Sequence, residues 1–600
     1  MNTARKILET VLSPQTTKKL WTESYFPVLP FYPNDFSLGA VLPAVMYMFR
    51  WGHRRGKGAF VESFEQTIEN KKNSPAIENV VDGLLTKKDE WFSGFDSSTA
   101  RAILGDMLLS FCLENKKHRT GRGEQIQRAY PCHYLTSWID LPSNFATLRF
   151  IPDMIVALLA NQEEGEFITK NDKRSLFSVS AGFKDNILLN LYGRDMQIKS
   201  VFMTNLTGED FVENSSLVGI DQLLAIRIAQ TCGGAPLMAK GSGESGKISN
   251  QHPIATKAAK YFREDLSVFI QAYGETIPRQ TFHQMLESCL SLGLTNIYLS
   301  TAKMLLEWER TGSLPEFHNQ EPWKLFVDCS SGTDTRIRKL TEESMTDMIR
   351  LFERLPVIMM CLRILDDKVS YSRAMRDSLP AKSPDATEFI NLLGSIYANL
   401  QPNAGRILDD LYEVCLKLSD AFSEADEEIS VQELLKSSGN PVMRLAEALS
   451  ILKGNKQIYR YIASLESTLM VNQPNGFSRK RKVQLRNISG KVRRADSRSV
   501  ILTNTMLDFI VHRHLRKTAR GKGPKSITFV DLLQLLKEKY GLYIDEAPVG
   551  MSIPVELLHL NRQILEKRVR DLGLLVGVND AESMKRLQQR FEAKGDGNNE

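Results

Sequence analysis

Apolar residues recur at steps of three and four over most of the chain, which is the spacing of one face of an α-helix. The clearest run lies within 404–420, where the apolar positions are Ile407, Leu408, Leu411, Val414, Cys415 and Leu418. Runs of this kind, joined by short loops, predict a helical bundle over 336–471 and a helical N-terminal domain with basic loops over 1–160. The pattern therefore predicts a predominantly α, multi-domain protein.

Segments with the composition of strands are concentrated in 165–205, a β-rich island between helical regions. Turns that contain Gly or Asp separate three of them, which are Ser175–Ser180, Asn186–Tyr192 and Gln197–Met203. They predict a small β-meander. The region 206–335 is predicted to be mixed and mostly helical, with a Gly/Ser-rich loop at 232–252.

The C-terminal part of the chain has a different order of elements. It begins with a predicted basic linker over 472–498. The elements predicted after it are a helix over 499–515, a β-prone piece at 527–529, helices over 530–540 and 555–572, and a strand at 574–576. Thr528 and Asp531 form a capping pattern at the start of the second helix, and Gly541 ends it. This order predicts a winged helix-turn-helix over 499–578, followed by a C-terminal helix and polar tail over 579–600.

The third helix of this segment has an apolar stripe made of Leu558, Leu565, Val569 and Leu572. The side chains opposite the stripe are predicted to face a DNA groove, and they are His559, Gln563, Lys567 and Arg570. The segment Arg562-Gln-Ile-Leu-Glu-Lys-Arg-Val-Arg-Asp-Leu-Gly-Leu-Leu-Val576 resembles the recognition helix and first wing strand of the winged helix-turn-helix superfamily. The resemblance implies nucleic-acid contact or, alternatively, protein docking.

Positive charge is concentrated just before and within this segment. Residues 479–525 contain fifteen Lys and Arg against Asp496 and Asp508, a net charge of +13, whereas the whole chain carries +6. Such a concentration is typical of a polyanion-binding surface, most often for nucleic acid. The candidate contact residues in this stretch are Arg479, Lys480, Arg481, Lys482, Arg493, Arg494, Arg513, Arg516, Lys517, Arg520 and Lys522.

A second set of candidates lies in a basic, glycine-bearing loop near the N-terminus. The tetrapeptide Arg55-Gly-Lys-Gly58 recurs as Arg520-Gly-Lys-Gly523. Glycine lets a phosphate approach the backbone, and the flanking cations would neutralise it. Arg54, Arg55 and Lys57 are therefore candidate phosphate contacts, although the same composition is also typical of a solvated turn after a helix.

Three motifs leave an enzyme open as an alternative. Gly241–Lys247 has the spacing of a phosphate loop, which makes Lys247 a weak candidate for nucleotide binding, but Ile248 replaces the magnesium-binding hydroxyl. Asp185 and Asp195, with Gln197-x-Lys199, form a loose nuclease-like pattern. Cys329 follows a strand that ends in Asp328, with no base evident nearby. None of the three is a complete catalytic set.

The seven cysteines are scattered and form no Cys-x-x-Cys pair, so we expect reduced thiols, a cytoplasmic protein and no zinc. No cofactor, metal or membrane contact is expected. The general organisation, a long helical body that ends in a basic winged helix, is similar to that of accessory subunits of bacterial DNA-processing and anti-phage defence systems. We therefore expect a non-enzymatic subunit that binds nucleic acid, in the first place double-stranded DNA, and works with other protein subunits. The alternatives are a scaffold whose winged helix docks a partner, and a divergent nucleotide hydrolase or nuclease.

Overall fold

The computed structural model describes most of the chain, and the long gaps lie before residue 246. The described residues are 2–22, 24–54, 64, 66–68, 71–73, 76–87, 92–116, 125–129, 147–168, 175–179, 185–193, 196–198, 211–213, 220, 224, 227–228, 231, 246–373, 375, 378–425, 429–486, 492–516, 518, 527–577 and 585–594. The chain divides into two compact units. The first comprises Met1–Phe36, Gln251–Val268 and Gln284–Asn599, and the second comprises Ser37–Asn250, Phe269–His283 and Glu600.

The first unit is built mainly from helices, which confirms the predicted α class. Its α-helices are Asn2–Leu12, Pro14–Leu20, Thr335–Phe352, Leu355–Tyr371, Thr387–Tyr397, Ala404–Glu424, Ile429–Lys436, Pro441–Lys453, Lys456–Thr468, Asn504–His514, Phe529–Tyr540 and Val555–Asp571, with a short 3-10 turn at Phe317–Asn319. Two longer helices, Thr256–Tyr273 and Arg279–Thr311, have residues in both units. Large buried side chains such as Trp308, Tyr298 and Phe352 supply the core of the first unit.

Three small two-stranded sheets complete the described part of the first unit. Leu325–Phe326 pairs in parallel with Leu542–Tyr543, Ser478–Arg486 pairs antiparallel with Val492–Val500, and Leu575–Val576 pairs antiparallel with Arg586–Leu587. The parallel pair requires glycine at position 541. Its φ is +69°, and a Cβ atom at this position would lie 2.0 Å from the carbonyl oxygen of Trp323. Glycine alone has both the conformational freedom and the small size for that position.

The second unit combines helices with short antiparallel ladders. Its described helices are Val41–Trp51, Ile77–Lys87, Ser98–Phe111, Ile151–Ala160 and Ile187–Gly193. Its described ladders are Gln66–Ile68 with Lys71–Asn73, Leu113–Lys116 with Gln125–Ala129, and Met196–Ile198 with Phe211–Glu213. The strand predicted over Asn186–Tyr192 is therefore wrong, because the Asn186 Oδ1 atom accepts bonds from the Leu188 and Leu189 amides and starts a helix.

Two further element predictions at the C-terminus are corrected. The basic linker predicted over 472–498 contains most of the Ser478–Arg486 and Val492–Val500 hairpin, and strand structure continues to Val500, where a helix was expected. That helix begins at Asn504, after Thr503, whose hydroxyl accepts from the Met506 amide. The predicted terminal helix is also wrong, since Arg586–Leu587 is a strand and no residue described in 585–594 is helical. The capping box of Thr528 and Asp531 is confirmed.

Candidate nucleic-acid interface

The most basic element that the structure describes is the hairpin formed by Ser478–Arg486 and Val492–Val500, here called the basic hairpin. Between Ser478 and Val500 it contains nine Lys and Arg residues and a single acidic residue, Asp496. Its strands pair in uninterrupted register from Ser478 opposite Val500 to Arg486 opposite Val492. Side chains of successive residues in a strand point to opposite faces, so the cations are distributed over both faces of the ribbon.

One carboxylate holds the base of the hairpin on the first face. Arg481 donates from Nε to the Glu342 Oε1 atom at 2.5 Å and from Nη2 to Oε2 at 2.7 Å. Ser497 lies directly opposite Arg481 in the ladder, and its hydroxyl lowers the pKa of Glu342. Burial raises the pKa of Glu342, but the bonds from Arg481 and the nearby Ser497 hydroxyl outweigh burial and leave this pKa below its usual value. Glu342 is therefore charged and binds the first strand of the hairpin through Arg481.

A second carboxylate holds the next cross-strand pair on the other face. Lys480 lies opposite Arg498, and both donate to Glu466, with the Lys480 Nζ atom 2.9 Å from Oε2. Asp496 is also within 3.2 Å of the Lys480 Nζ atom. The two helices Thr335–Phe352 and Lys456–Thr468 thus each contribute one carboxylate to the hairpin base. We call Glu342 and Glu466 the carboxylate clamp.

Backbone contacts continue from the clamp into the body of the first unit. The Val500 amide donates to the Thr341 hydroxyl at 3.2 Å, and that hydroxyl donates to the Phe326 carbonyl oxygen at 2.6 Å. Ile501 forms a parallel bridge with Asp328. The segment predicted as a linker becomes a hairpin because its base finds these partners far away in the chain.

The hairpin also has cations that the clamp does not hold: Lys482 and Arg494 lie beyond the clamp, and Arg479 lies opposite Ser499 on its base side. Arg479, Lys482 and Arg494 are exposed, and no ion pair with a described acidic residue is found for them. Arg493 lies in the second strand, but its side chain is outside the described residues, as are Lys517, Arg520, Lys522, Arg55 and Lys57. Of the candidates on the hairpin, Lys480 and Arg481 are engaged by carboxylates.

The helix Val555–Asp571 presents the polar face predicted from its sequence. His559, Gln563, Lys567 and Arg570 are all exposed, while Leu565 and Val569 are fully buried. Gln563 and His559 are joined by a side-chain bond of 2.9 Å, and Arg570 pairs with Glu566 one turn away. Such pairs between exposed side chains contribute little energy and leave the groups available to a ligand.

Two residues on the buried side of this helix were missed by the sequence analysis. The Asn561 amide donates to the carbonyl oxygens of Val327 and Ile544 and accepts from the Cys329 amide. Arg568 donates to the carbonyl oxygens of Cys329 and Leu502, the latter just after the basic hairpin. Burial lowers the pKa of Arg568, and the charge of nearby Arg479 lowers it further. The helix is thus fixed beside the base of the hairpin.

Three predicted contact residues have structural roles instead. Arg513 and Arg516 are only 5% and 2% exposed. Arg513 pairs with the buried carboxylate of Asp265 at 2.8 Å, because that carboxylate lies close in space despite its distance in sequence. In the second unit, Arg54 is mostly buried and pairs with the fully buried Asp153 at 3.0 Å. A guanidinium that compensates a buried carboxylate is not free to bind phosphate. Arg516 is buried and donates to the Gln589 Oε1 atom at 3.0 Å, so these three assignments are corrected.

Comparison with known proteins places the chain in a family. A family model described as methylation-associated defense system protein MAD7 matches residues 55–591. The chain belongs to this family. No curated protein and no solved structure matches it. The family assignment makes the chain a component of a methylation-associated defence system, in agreement with the expected defence role. Among the described residues, no helix is long and apolar enough to cross a membrane.

In the described part of this MAD7-family chain, the residues after Lys247 do not have the conformation of a phosphate loop. After Lys247 the backbone is extended, with Ser249 bridging Phe167, and the next helix starts only at Thr256. A phosphate loop needs a helix to begin directly after its lysine, because that helix's first amides bind the phosphate. Gly241–Ser245, Asp195 and Lys199 lie outside the described residues.

The loop after the strand Leu325–Phe326 is held by hydrogen bonds between its own residues. Asp328 accepts from the Ser330 amide at 2.8 Å, from the Ser330 hydroxyl at 2.5 Å and from the Gly332 amide at 2.9 Å. Cys329 is fully buried, and burial raises the pKa of its thiol far above the usual value. A protonated thiol is a poor nucleophile. This geometry favours a structural turn over a catalytic centre.

Proposed function

We propose that this component of a methylation-associated defence system is a non-catalytic DNA-binding subunit. It contacts duplex DNA through the cations of the basic hairpin that the carboxylate clamp does not hold and through the exposed face of the helix Val555–Asp571. The observation that carries the proposal is the set of exposed hairpin cations that the carboxylate clamp does not hold, which are Arg479 at the base and Lys482 and Arg494 beyond the clamp. Exposed cations without carboxylate partners bind phosphates and release the counterions that DNA otherwise condenses.

The shapes of the two elements favour a duplex. The major groove of B-DNA admits either a two-stranded ribbon or an α-helix, whereas the major groove of an RNA duplex is too deep and narrow for side chains to read. Single-strand binding uses aromatic side chains on which bases stack. Neither Ser478–Val500 nor Val555–Asp571 contains Phe, Tyr or Trp.

The order of elements supports a winged-helix arrangement as part of the same proposal. Helices Asn504–His514, Phe529–Tyr540 and Val555–Asp571 are followed by Leu575–Val576, which pairs with Arg586–Leu587. The second of these strands also meets the piece before the second helix, since Thr528 bridges Arg586. A three-helix unit with a small sheet joined in this order is typical of winged helices, whose third helix faces the DNA.

The test uses the full chain, because the segment is bonded to residues distant in sequence such as Asp265 and Val327. Fluorescence anisotropy would compare a labelled duplex DNA, its single strand and the duplex RNA of the same sequence over a salt series. We expect the duplex DNA to bind most tightly. Replacing Arg479, Lys482 and Arg494 with alanine should weaken binding and reduce the salt slope by roughly 2 to 3, at about 0.9 per lost phosphate contact.

The matched control removes the same charge from another surface. Arg310, Arg406 and Lys417 are exposed on the helices Arg279–Thr311 and Ala404–Glu424. Their alanine triple variant should leave the affinity and the slope close to those of the native chain. Equal losses in the two triple variants would mean that only net charge matters, and would refute a hairpin interface.

A second function, protein docking, is favoured by one specific observation. Val549, in the loop before the third helix, and Val555, the first residue of that helix, are 86% and 76% exposed. Exposed apolar side chains beside a polar face are typical of a protein contact. If the full chain binds no duplex DNA even at low salt, docking replaces DNA binding as the function of this surface.

A further inference from the structure

The carboxylate clamp divides the cations of the basic hairpin into two classes. At the base, Glu342 holds Arg481, and Glu466 together with Asp496 holds Lys480 and Arg498. The remaining six cations between Ser478 and Val500 are Arg479, Lys482, Arg486, Lys491, Arg493 and Arg494. Of these six, the three whose side chains are described are exposed and have no ion pair with a described carboxylate.

We propose that Glu342 and Glu466 are positioning residues that limit the DNA contacts of the hairpin to the cations that these two carboxylates leave unpaired. The proposal rests on the DNA-binding function proposed above and adds which cations of that surface meet phosphate. Each carboxylate occupies the donors that a phosphate oxygen would otherwise take. The clamp thereby neutralises Lys480, Arg481 and Arg498 and leaves the unclamped cations as the ones that release counterions.

The geometry of the clamp supports this role in two ways. Arg481 donates to Glu342 through two parallel bonds, the fork geometry with which arginine also binds phosphate. Glu342 and Glu466 are mostly buried, with exposed side-chain fractions of 13% and 19%. Partly buried pairs are screened less by salt than exposed ones, so the clamp should persist at salt concentrations that weaken phosphate contacts.

The clamp also fixes the direction of the ribbon. Glu342 binds the first strand through Arg481, and Glu466 binds both strands through Lys480 and Arg498. The cross-strand pairs of Arg481 and Lys480 are adjacent in the ladder, and consecutive pairs face opposite sides of the ribbon. A ribbon held on both faces near its base cannot rotate freely, which fixes the direction of each unclamped cation. Lys482 and Arg494 share the face of Lys480, and Arg479 shares that of Arg481.

The test counts released counterions with the full chain and a duplex DNA probe. Lys482→Ala should reduce the salt slope by about 0.9, the value for one phosphate contact. Arg481→Ala, which removes a clamped cation from the neighbouring position, should leave the slope unchanged. Glu342→Gln should free Arg481 and increase the slope by about 0.9, and the double variant Glu342→Gln with Arg481→Ala should return to the native slope.

The outcomes separate the two proposals. If the native chain binds DNA but Arg481→Ala lowers the slope as much as Lys482→Ala does, the clamp does not limit the footprint, while DNA binding stands. If the native chain does not bind DNA, both proposals fail. Circular dichroism and thermal unfolding check that each variant is folded, and Arg481→Ala decides the question even if Glu342→Gln does not fold.

Discussion

Asn561 connects the third helix of the C-terminal segment to two other parts of the first unit. Its Nδ2 atom lies 2.8 Å from the Val327 carbonyl oxygen and 2.9 Å from that of Ile544, and its Oδ1 atom lies 2.9 Å from the Cys329 amide nitrogen. Its side chain is fully buried. Replacing Asn561 with alanine would remove all three bonds at once and leave buried backbone groups without these partners.

The size of the destabilisation caused by Asn561→Ala follows from the number of hydrogen bonds lost. A buried hydrogen bond contributes about 1 kcal/mol net, and a group left unpaired in the interior costs about 1–3 kcal/mol. Three lost bonds therefore give a local destabilisation of at least about 3 kcal/mol. Since about 1.4 kcal/mol corresponds to a factor of ten in an equilibrium, opening of this region should become roughly 100-fold more frequent.

Hydrogen exchange measures this opening directly. The Leu325 amide donates to the Gly541 carbonyl oxygen at 2.8 Å, and the Val327 amide donates to that of Tyr543 at 2.9 Å. We expect both amides to exchange roughly 100-fold faster in Asn561→Ala. The control is Gln563→Ala, on the exposed face of the same helix. Exchange within a factor of three of this control would show that Asn561 is not what holds the strands together.

Three further predictions concern stability, acid sensitivity and specificity. Gly541→Ala should lower the free energy of unfolding by more than Gly573→Ala does. Both glycines have φ near +70°, so alanine is strained by about 1–2 kcal/mol at either position. Only at Gly541 would the added Cβ also lie 2.0 Å from a backbone atom. Equal shifts in thermal midpoint for the two variants would contradict this clash. Burial lowers the pKa of His512 to about 4, and its Nε2 atom accepts from the Arg590 and Phe591 amides. Because this pKa is depressed in the folded state, stability should be lost as pH falls from about 6.5 to 4, by roughly 3 kcal/mol, and urea titrations of His512→Gln should show a flatter pH dependence. Replacing Gln563 and Lys567 with alanine should weaken binding to a preferred DNA sequence by about 1–3 kcal/mol per base contact, with no loss of thermal stability. Anisotropy on a panel of duplexes would measure the change in affinity. An equal loss of affinity on every sequence would refute base contact.

Local sequence determined the elements whose signals lie within a few residues of one another. The capping box of Thr528 and Asp531, the stop at Gly541 and the exposed face of the third helix all follow from short-range spacing. A helix satisfies its own backbone hydrogen bonds, so periodicity and caps are enough to locate it. The predominantly α fold could be predicted for the same reason.

Only the tertiary structure decided which cations are available to a ligand. Arg481 and Arg513 look alike in sequence, yet Glu342 binds the first at the hairpin base and Asp265 buries the second in the core. The partners lie more than a hundred residues away, and no local pattern encodes their approach. The same holds for the basic hairpin, because a strand needs a partner and a ribbon needs a support that only the folded chain brings to it.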